Sequence, residues 1–247
     1  VYGSTTNVEI FGGQCDTIFA GGNSADVYAA NMTVNCAIDA GSGNTYGKVY
    51  SNAIDTYTGG VITPKTTYGW DGYAGIYNVR TLFGGNNMAV FDSKLNHTVP
   101  TITLTSGSIG TVYGGGNSGD MWGLSNDDGS GGSLVINGDV VKYGTHVKMN
   151  SATILIDNLY GGCQMSNVRY STWVELLNGH VGTVYGGCNV SGDVGSTRIN
   201  PDAPQFTEPD VPNEDYQKVF GGTYVVASGG TGYKNLFAGA NGYYHCL

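Results

Sequence analysis

An aromatic residue followed by small residues, usually a glycine pair, recurs along the chain and constrains its fold more than any other feature. The copies are FGG at 11–13, FAGG at 19–22, LFGGN at 82–86, VYGGGN at 112–117, LYGGC at 159–163, VYGGC at 184–188, VFGG at 219–222 and LFAGAN at 236–241. Tyr160 and Tyr185 are 25 residues apart, and Tyr113 and Tyr160 are 47 apart, nearly twice that step. Periods of this size are typical of solenoids, propellers and other repeat arrays.

The segments between these copies have the character of short strands. TWVEL at 172–176 and HVGTVY at 180–185 alternate in part and are rich in β-branched and aromatic residues, with NG and GG at their ends. Helices are disfavoured because glycine interrupts nearly every stretch, at about 1 kcal/mol each in a helix interior. We therefore predict an all-β fold, a parallel β-helix with three short strands in each coil of roughly 20–25 residues. A propeller, the main competitor, requires roughly 40–45 residues per blade.

The glycine runs can be interpreted as ligand loops or as corners of the backbone. A phosphate loop needs G-x-x-x-x-G-K-[ST] before a helix, and a dinucleotide loop needs G-x-G-x-x-G opening a helix; neither context is present. We therefore predict corners, in which glycine supplies the positive φ of a sharp turn. In GTVYGGGNSGDM at 110–121, Val112 and Tyr113 should end a strand, Gly114 to Gly116 should turn it, and Asn117 should join an axial ladder.

The length of 247 residues fits one domain, which we expect to be a single β-solenoid spanning 1–247 and cut from a longer chain. Two regions break the rhythm and are predicted to be insertions or loops. Residues 37–80 are rich in Tyr, Gly and Thr, and residues 200–215 hold four of the six prolines. Loops that leave one side of a solenoid often form its binding surface.

Composition excludes several classes of protein. Glycine supplies 42 residues without a three-residue period, which excludes collagen. Ten Lys and Arg are scattered singly in a chain of net charge −9, so we expect no nucleic-acid binding. No apolar run approaches the ~20 residues of a membrane span. Low charge with abundant Asn, Thr, Gly and Tyr favours an extracellular or cell-surface location.

The corners VYGGGN at 112–117 and VYGGCN at 184–189, followed by SGDM and SGDV, resemble the repeats of large surface or secreted proteins of gut Bacteroidetes. Those repeats are predicted to form right-handed parallel β-helices of the pectin-lyase-like or adhesin type. The resemblance covers most of residues 8–241 and implies a fold and a surface location. It carries no catalytic residue across, and similar β-helices occur in phage tail spikes and carbohydrate lyases.

Two sets of residues are candidates for ions or cross-links. GGNSADVY at 21–28 and GGNSGDMW at 115–122 approach the calcium nonapeptide, so Asp26, Asp120 and Asp193 could supply calcium ligands; the alternative is an Asx-type turn. No other cofactor is expected. Cys163 and Cys188 each follow YGG and should stack one above the other, either as a disulfide or as buried thiols.

Binding is predicted from the surplus of aromatic residues. Eighteen tyrosines and three tryptophans exceed what a narrow β-helix interior can hold, and Tyr68, Trp70 and Tyr73 form the densest cluster. Exposed aromatic rings commonly contact sugars, so a surface glycan is the expected partner; the alternative is that these rings only decorate strands. Open solenoid ends also favour end-to-end self-association.

The leading hypothesis is a non-enzymatic, extracellular structural or adhesive β-solenoid. The alternative is a carbohydrate-active β-helix enzyme, a polysaccharide lyase or hydrolase, or a phage tail-spike-like segment. Catalysis on glycans requires carboxylates that converge in one groove, whereas the 19 acidic residues here are mostly single and dispersed, so no catalytic residue is assigned.

Overall fold

The computed structural model describes residues 6–12, 15–24, 27, 30–35, 56–58, 61–63, 77–91, 99–122, 134–194, 222–228 and 231–242. These residues form strands and turns, and they include no helix. The strands are β1 (Thr6–Ile10), β2 (Cys15–Phe19), β3 (Ala30–Asn35), β4 (Thr56–Thr58), β5 (Val61–Thr63), β6 (Val79–Phe83), β7 (Thr101–Tyr113), β8 (Leu134–Ile136), β9 (Asp139–Val141), β10 (Tyr143–Tyr160), β11 (Ser171–Tyr185), β12 (Thr223–Ala227) and β13 (Thr231–Phe237). The predicted all-β class is therefore confirmed.

Nine of these strands form one parallel sheet, in which equivalent parts of the sequence lie side by side. Along one run, β1, β3, β7, β10, β11 and β12 pair in that order. Along a second run, the pairing order is β2, β6, β7, β10, β11 and β13. In this run β7, β10 and β11 pair through their C-terminal ends. Single parallel bridges make a third contact through Val27, Phe91, Met121, Val168 and Val194.

The described residues thus contain six stacked repeats, numbered in chain order. Repeats 1 to 6 cover residues 6–27, 30–91, 99–122, 143–168, 171–194 and 222–242. Each of the first five has two strand regions and one bridging residue, where the sequence predicted three short strands. Apart from register shifts in β10 and at the end of β3, the pairing is in register, so equivalent residues form columns along the stack.

The main core consists of aliphatic columns from both runs. One column joins Val147 of β10 to Val174 of β11, and another joins Leu159 to Val184; all four side chains are fully buried. Burying a Val or Leu side chain contributes roughly 1.5–3 kcal/mol, so these columns hold successive repeats together.

Threonines tie the start of the first strand region to the corner that follows the second. Thr145 donates a hydrogen bond to the carbonyl of Gly161 at 2.6 Å, and Thr172 donates to Gly186 at 2.5 Å. Thr6 makes the equivalent bond to Ala20 at 2.8 Å. Each bond closes a loop of 14 to 16 residues inside one repeat, so it holds the start of the first strand region close to the corner after the second.

The corner glycines act differently from the prediction. Gly114 to Gly116 do turn the chain after Tyr113, but positive φ in the described residues occurs at Gly107, Gly138, Gly179, Gly192 and Asn137. What Gly114 requires is space: a Cβ there would lie 3.0 Å from the carbonyl carbon of Gly161 in the next repeat and closer still to its oxygen. Glycine is needed because consecutive backbones approach closely, and the expectation of a left-handed turn was wrong.

Two antiparallel hairpins lie outside the parallel sheet. β4 and β5 pair with each other within the predicted insertion 37–80, although Val79 and Arg80 at its end belong to β6. β8 and β9 form a second hairpin between repeats 3 and 4, around a two-residue Asn137–Gly138 turn in which both residues have positive φ. This hairpin lies within the 47-residue step between the corners at Tyr113 and Tyr160. Residues 200–215 lie outside the described residues.

Within the described part of the chain, no helix is long and apolar enough to cross a membrane.

Candidate functional site

The aromatic residues of six corners form one continuous stack of rings. Neighbouring centroids are 4.6 to 5.1 Å apart and the ring planes differ by 3 to 15°. In order the rings belong to Phe19, Phe83, Tyr113, Tyr160, Tyr185 and Phe237. The predicted copy at 11–13 does not join them, because Phe11 follows β1 within repeat 1 and is 66% exposed. Phe220 lies outside the described residues.

Amide side chains stack in a second column at the same corner. Asn87 donates to Asn23 at 2.6 Å, Asn117 donates to Asn87 at 2.7 Å, and Asn241 donates to Asn189 at 2.9 Å. The predicted place of Asn117 in an axial ladder is therefore confirmed. Gln164 interrupts the column in repeat 4, and the amide of Asn189 instead donates to the Tyr113 hydroxyl at 2.8 Å.

The aspartates predicted to bind calcium lie in a third column. The Asp120 carboxylate accepts hydrogen bonds from the backbone N–H of Asn167 at 2.9 Å and from its side-chain amide at 3.1 Å. The side-chain oxygen Oδ1 of Asn167 in turn accepts a hydrogen bond from the Asp193 backbone N–H at 2.9 Å. Asp120 and Asp193 are thus separated by a whole repeat and join layers of backbone.

The described residues therefore place Asp120 and Asp193 in different repeats, and calcium binding by the predicted set stays a prediction. Asp26 lies outside the described residues, and the described part of the chain holds no group of three or more His, Cys, Asp or Glu side chains arranged to bind a metal ion.

Cys163 and Cys188 stack in successive repeats, as predicted from their spacing, and both are free thiols. The Cys163 backbone N–H donates to the Cys188 sulfur at 3.3 Å, and the Cys188 thiol donates to the Ser166 carbonyl at 3.4 Å. Burial raises the pKa of the Cys163 thiol well above its usual value. The structure therefore contains the buried pair of thiols, the alternative to the predicted bridge. Tyr68, Trp70 and Tyr73, the predicted glycan contacts, lie outside the described residues.

One cluster of titratable and aromatic side chains was missed by the sequence analysis. His146 and Trp173 are register neighbours on β10 and β11, and their rings stack at 4.0 Å. The ring of Tyr143 meets both at an edge, and His146 Nε2 lies 2.8 Å from Glu175 Oε2. Lys148 Nζ lies 4.0 Å from the same carboxylate oxygen. We call these five residues the His146 cluster.

The β8–β9 hairpin covers part of this cluster. Leu134 and Val141 of the hairpin form an apolar cluster with Val99, Tyr143 and Trp173. The cluster therefore fastens the inserted hairpin to the outer side of the parallel sheet.

Its chemistry is limited by burial. A histidine oriented by a carboxylate is a common general base, but His146 is only 1% exposed, and its Nδ1 is buried without a hydrogen-bond partner in the described residues. Burial tends to raise the pKa of Glu175, but the hydrogen bond and charge of His146, with the charge of Lys148, outweigh it and lower that pKa. The geometry favours a clamp that holds repeats 4 and 5 and the hairpin together.

Aligning short segments of the sequence would have revealed this cluster. THVKM at 145–149, TWVEL at 172–176 and TYVVA at 223–227 share the pattern T-x-V and lie in register. That alignment places His146 beside Trp173 and Lys148 beside Glu175. The missing step was the register between repeats, because the corner motif alone does not fix it.

Comparison with models of known protein families, with curated protein sequences and with solved structures finds no match to this chain.

Proposed function

We propose that this chain is a parallel β-solenoid with a structural or adhesive, non-enzymatic role outside the cell. The observation that carries the proposal is that several columns of side chains at the corner each connect one repeat to the next. Six aromatic rings, two runs of asparagine amides and an Asp–Asn–Asp series each join successive repeats. Side chains that could have gathered into a reactive centre are thus used to extend the stack.

The solenoid itself can be tested by removing one coil in register. Deleting residues 160–184 joins Leu159 to Tyr185 at equivalent column positions, because Tyr160 pairs with Tyr185. A solenoid should tolerate this deletion and retain its β-sheet circular dichroism and cooperative unfolding, since its strand pairing joins only adjacent repeats. The matched control deletes residues 160–179, which puts the following columns out of register and should abolish cooperative unfolding. Equal disruption by both deletions would contradict the solenoid.

The adhesive role predicts binding of glycans without turnover. The aromatic group Tyr68, Trp70 and Tyr73 remains the candidate contact, and stacking of a sugar on a ring requires the aromatic face. We expect the chain to retain glycans on an array, and W70A to weaken that retention. F11A is the matched control, because Phe11 is an exposed ring of repeat 1 and lies outside the predicted insertion 37–80 in the sequence. Release of products from a polysaccharide panel would instead support the carbohydrate-active enzyme.

The extracellular location remains a proposal based on composition. Only 12% of the residues are charged, and the described structure uses Asn, Thr and Gly in its columns and corners. The corner motifs also resemble the repeats of surface proteins of gut Bacteroidetes. Detection of the native protein at the surface of intact cells by antibody labelling is the direct measurement.

A further inference from the structure

Among the described residues, the first and last repeats of the stack pair with other strands on one side only. At repeat 6, β12 and β13 each pair with β11 and with no other described strand; at repeat 1, β1 and β2 likewise pair only with β3 and β6. Apolar side chains are exposed at repeat 6: Val226 is 43% exposed, Leu236 36% and Phe237 49%. An open edge with exposed apolar side chains is a template for pairing with another chain.

The columns that end at repeat 6 begin at repeat 1 with matching side chains. Phe237 ends the ring stack that Phe19 begins. Leu236 and Ile18 are the two ends of one aliphatic column, and Val225 and Val8 are the ends of another. Asn241 donates within the amide column at one end and Asn23 accepts at the other. A repeat 1 placed on repeat 6 would therefore continue each column with a compatible side chain.

The charges at the two ends are also complementary. Asp16 of repeat 1 is paired in register with Arg80 of repeat 2, which it contacts at 2.9 Å. The same column runs through Gly110, Asp157 and Gly182 to Lys234, an exposed residue of repeat 6. Stacking repeat 1 on repeat 6 would bring Lys234 next to Asp16, an attraction that the reverse pairing of two identical ends would not provide.

We propose that repeat 6 of one molecule binds repeat 1 of a second copy of this chain, head to tail and in register. This inference rests on the proposed solenoid. The contact is heterologous, since two different surfaces meet, and each added copy presents a fresh repeat 6. Assembly therefore proceeds to filaments whose length rises with concentration.

Sedimentation velocity and electron microscopy over a concentration series test the proposal, with circular dichroism on the same samples. F237D should raise the dissociation constant for assembly by roughly ten-fold or more, since an aromatic contact is lost and a charge is placed in the interface. The matched control M165D changes a 44% exposed apolar residue away from both ends and should leave assembly unchanged. Equal loss in F237D and M165D, or a folded wild-type chain that stays monomeric at all concentrations, would overturn the proposal.

A charge exchange tests the orientation of the contact. K234D and D16K should each weaken assembly by roughly two- to five-fold, and an equimolar mixture should regain it because opposite charges again meet at one interface. Assembly through two identical repeat 6 surfaces would instead respond to K234D alone, with no recovery in the mixture, and would refute the head-to-tail contact. Retained β-sheet circular dichroism in a monomeric chain would overturn the assembly while leaving the solenoid intact.

Discussion

Replacing Gly114 by alanine tests the reason for the glycine corner most directly. A Cβ at this position would lie 3.0 Å from the Gly161 carbonyl carbon, closer still to its oxygen, and 3.1 Å from Cγ2 of Val147. The Val147 methyl can rotate away, but the carbonyl belongs to a backbone that pairs with the repeats on both sides, so it cannot shift without breaking hydrogen bonds. Overpacking of this kind typically costs about 1–3 kcal/mol, and contact with backbone places G114A at the upper end.

The expected result is a fall in thermal midpoint of roughly 6–12 °C, since 1 kcal/mol corresponds to about 2–4 °C for a chain of this length. Differential scanning calorimetry measures the midpoint, and urea unfolding measures the free energy of unfolding. G239A is the matched control, because no atom lies within 4 Å of a Cβ at that corner glycine of repeat 6. If G114A and G239A unfold at the same temperature as the wild-type chain, the close approach is not what selects glycine.

Ala20 shows why the test belongs in the interior of the stack. It occupies the position equivalent to Gly114 in repeat 1, and its backbone N–H still donates to Phe83 at 2.9 Å. Repeat 1 pairs with described strands on one side only, so it can shift slightly to admit a methyl group. Gly114 lies between two repeats and lacks that freedom.

Three further predictions concern the columns and the His146 cluster. Asn117 Oδ1 is buried without a hydrogen-bond partner in the described residues, and Gln164 occupies the next position of the amide column. Q164N should complete the column and raise the free energy of unfolding, measured by urea titration, by roughly 0.5–1.5 kcal/mol. No gain in stability would contradict the ladder. Burial, with the charges of neighbouring tyrosines, raises the pKa of Tyr160 to about 12, so the stability that the protonated hydroxyl contributes is complete below pH 10 and is lost between pH 10 and 12. Y160F should keep the ring stack and reduce this alkaline loss of stability. An unchanged dependence of stability on pH would refute the prediction. The lowered pKa of Glu175 means that its carboxylate stabilises the fold above pH 4.5 and that this stabilisation is lost as the pH falls below that value. E175Q should therefore have a lower free energy of unfolding than wild type at pH 7. In acid, the two free energies of unfolding should become equal.

The corners could be predicted from the sequence because the aromatic–glycine motif recurs in successive repeats. Tyr113, Tyr160 and Tyr185 precede glycines at a readable spacing, and a stack of repeats places such residues in one column. Asn117 follows by the same reasoning, since an amide can both donate to and accept from its equivalents along the stack. These predictions required only periodicity.

Features that depend on three-dimensional approach were not predicted correctly. A glycine selected for positive φ and one selected for close backbone contact look identical in sequence, so the physical role of Gly114 was misassigned. The FGG at 11–13 has the same sequence as a corner motif, yet Phe11 lies between β1 and β2 and is exposed. The β8–β9 hairpin carried a usable signal in Asn137–Gly138, because two residues with positive φ are what a tight hairpin turn requires.

The columns also explain why Asp120 and Asp193 lie in different repeats of the described structure. Asp120 would be a plausible oxygen ligand in isolation, but in a stack with one residue per repeat its nearest polar partner is the equivalent position, Asn167, whose backbone N–H and side-chain amide it satisfies. A site that gathers several groups needs side chains from different columns to converge. His146 and Glu175 do so, and His146 stacks against Trp173, which packs against the hairpin. In the described residues, repetition therefore favours growth of the stack over convergence of side chains from different columns.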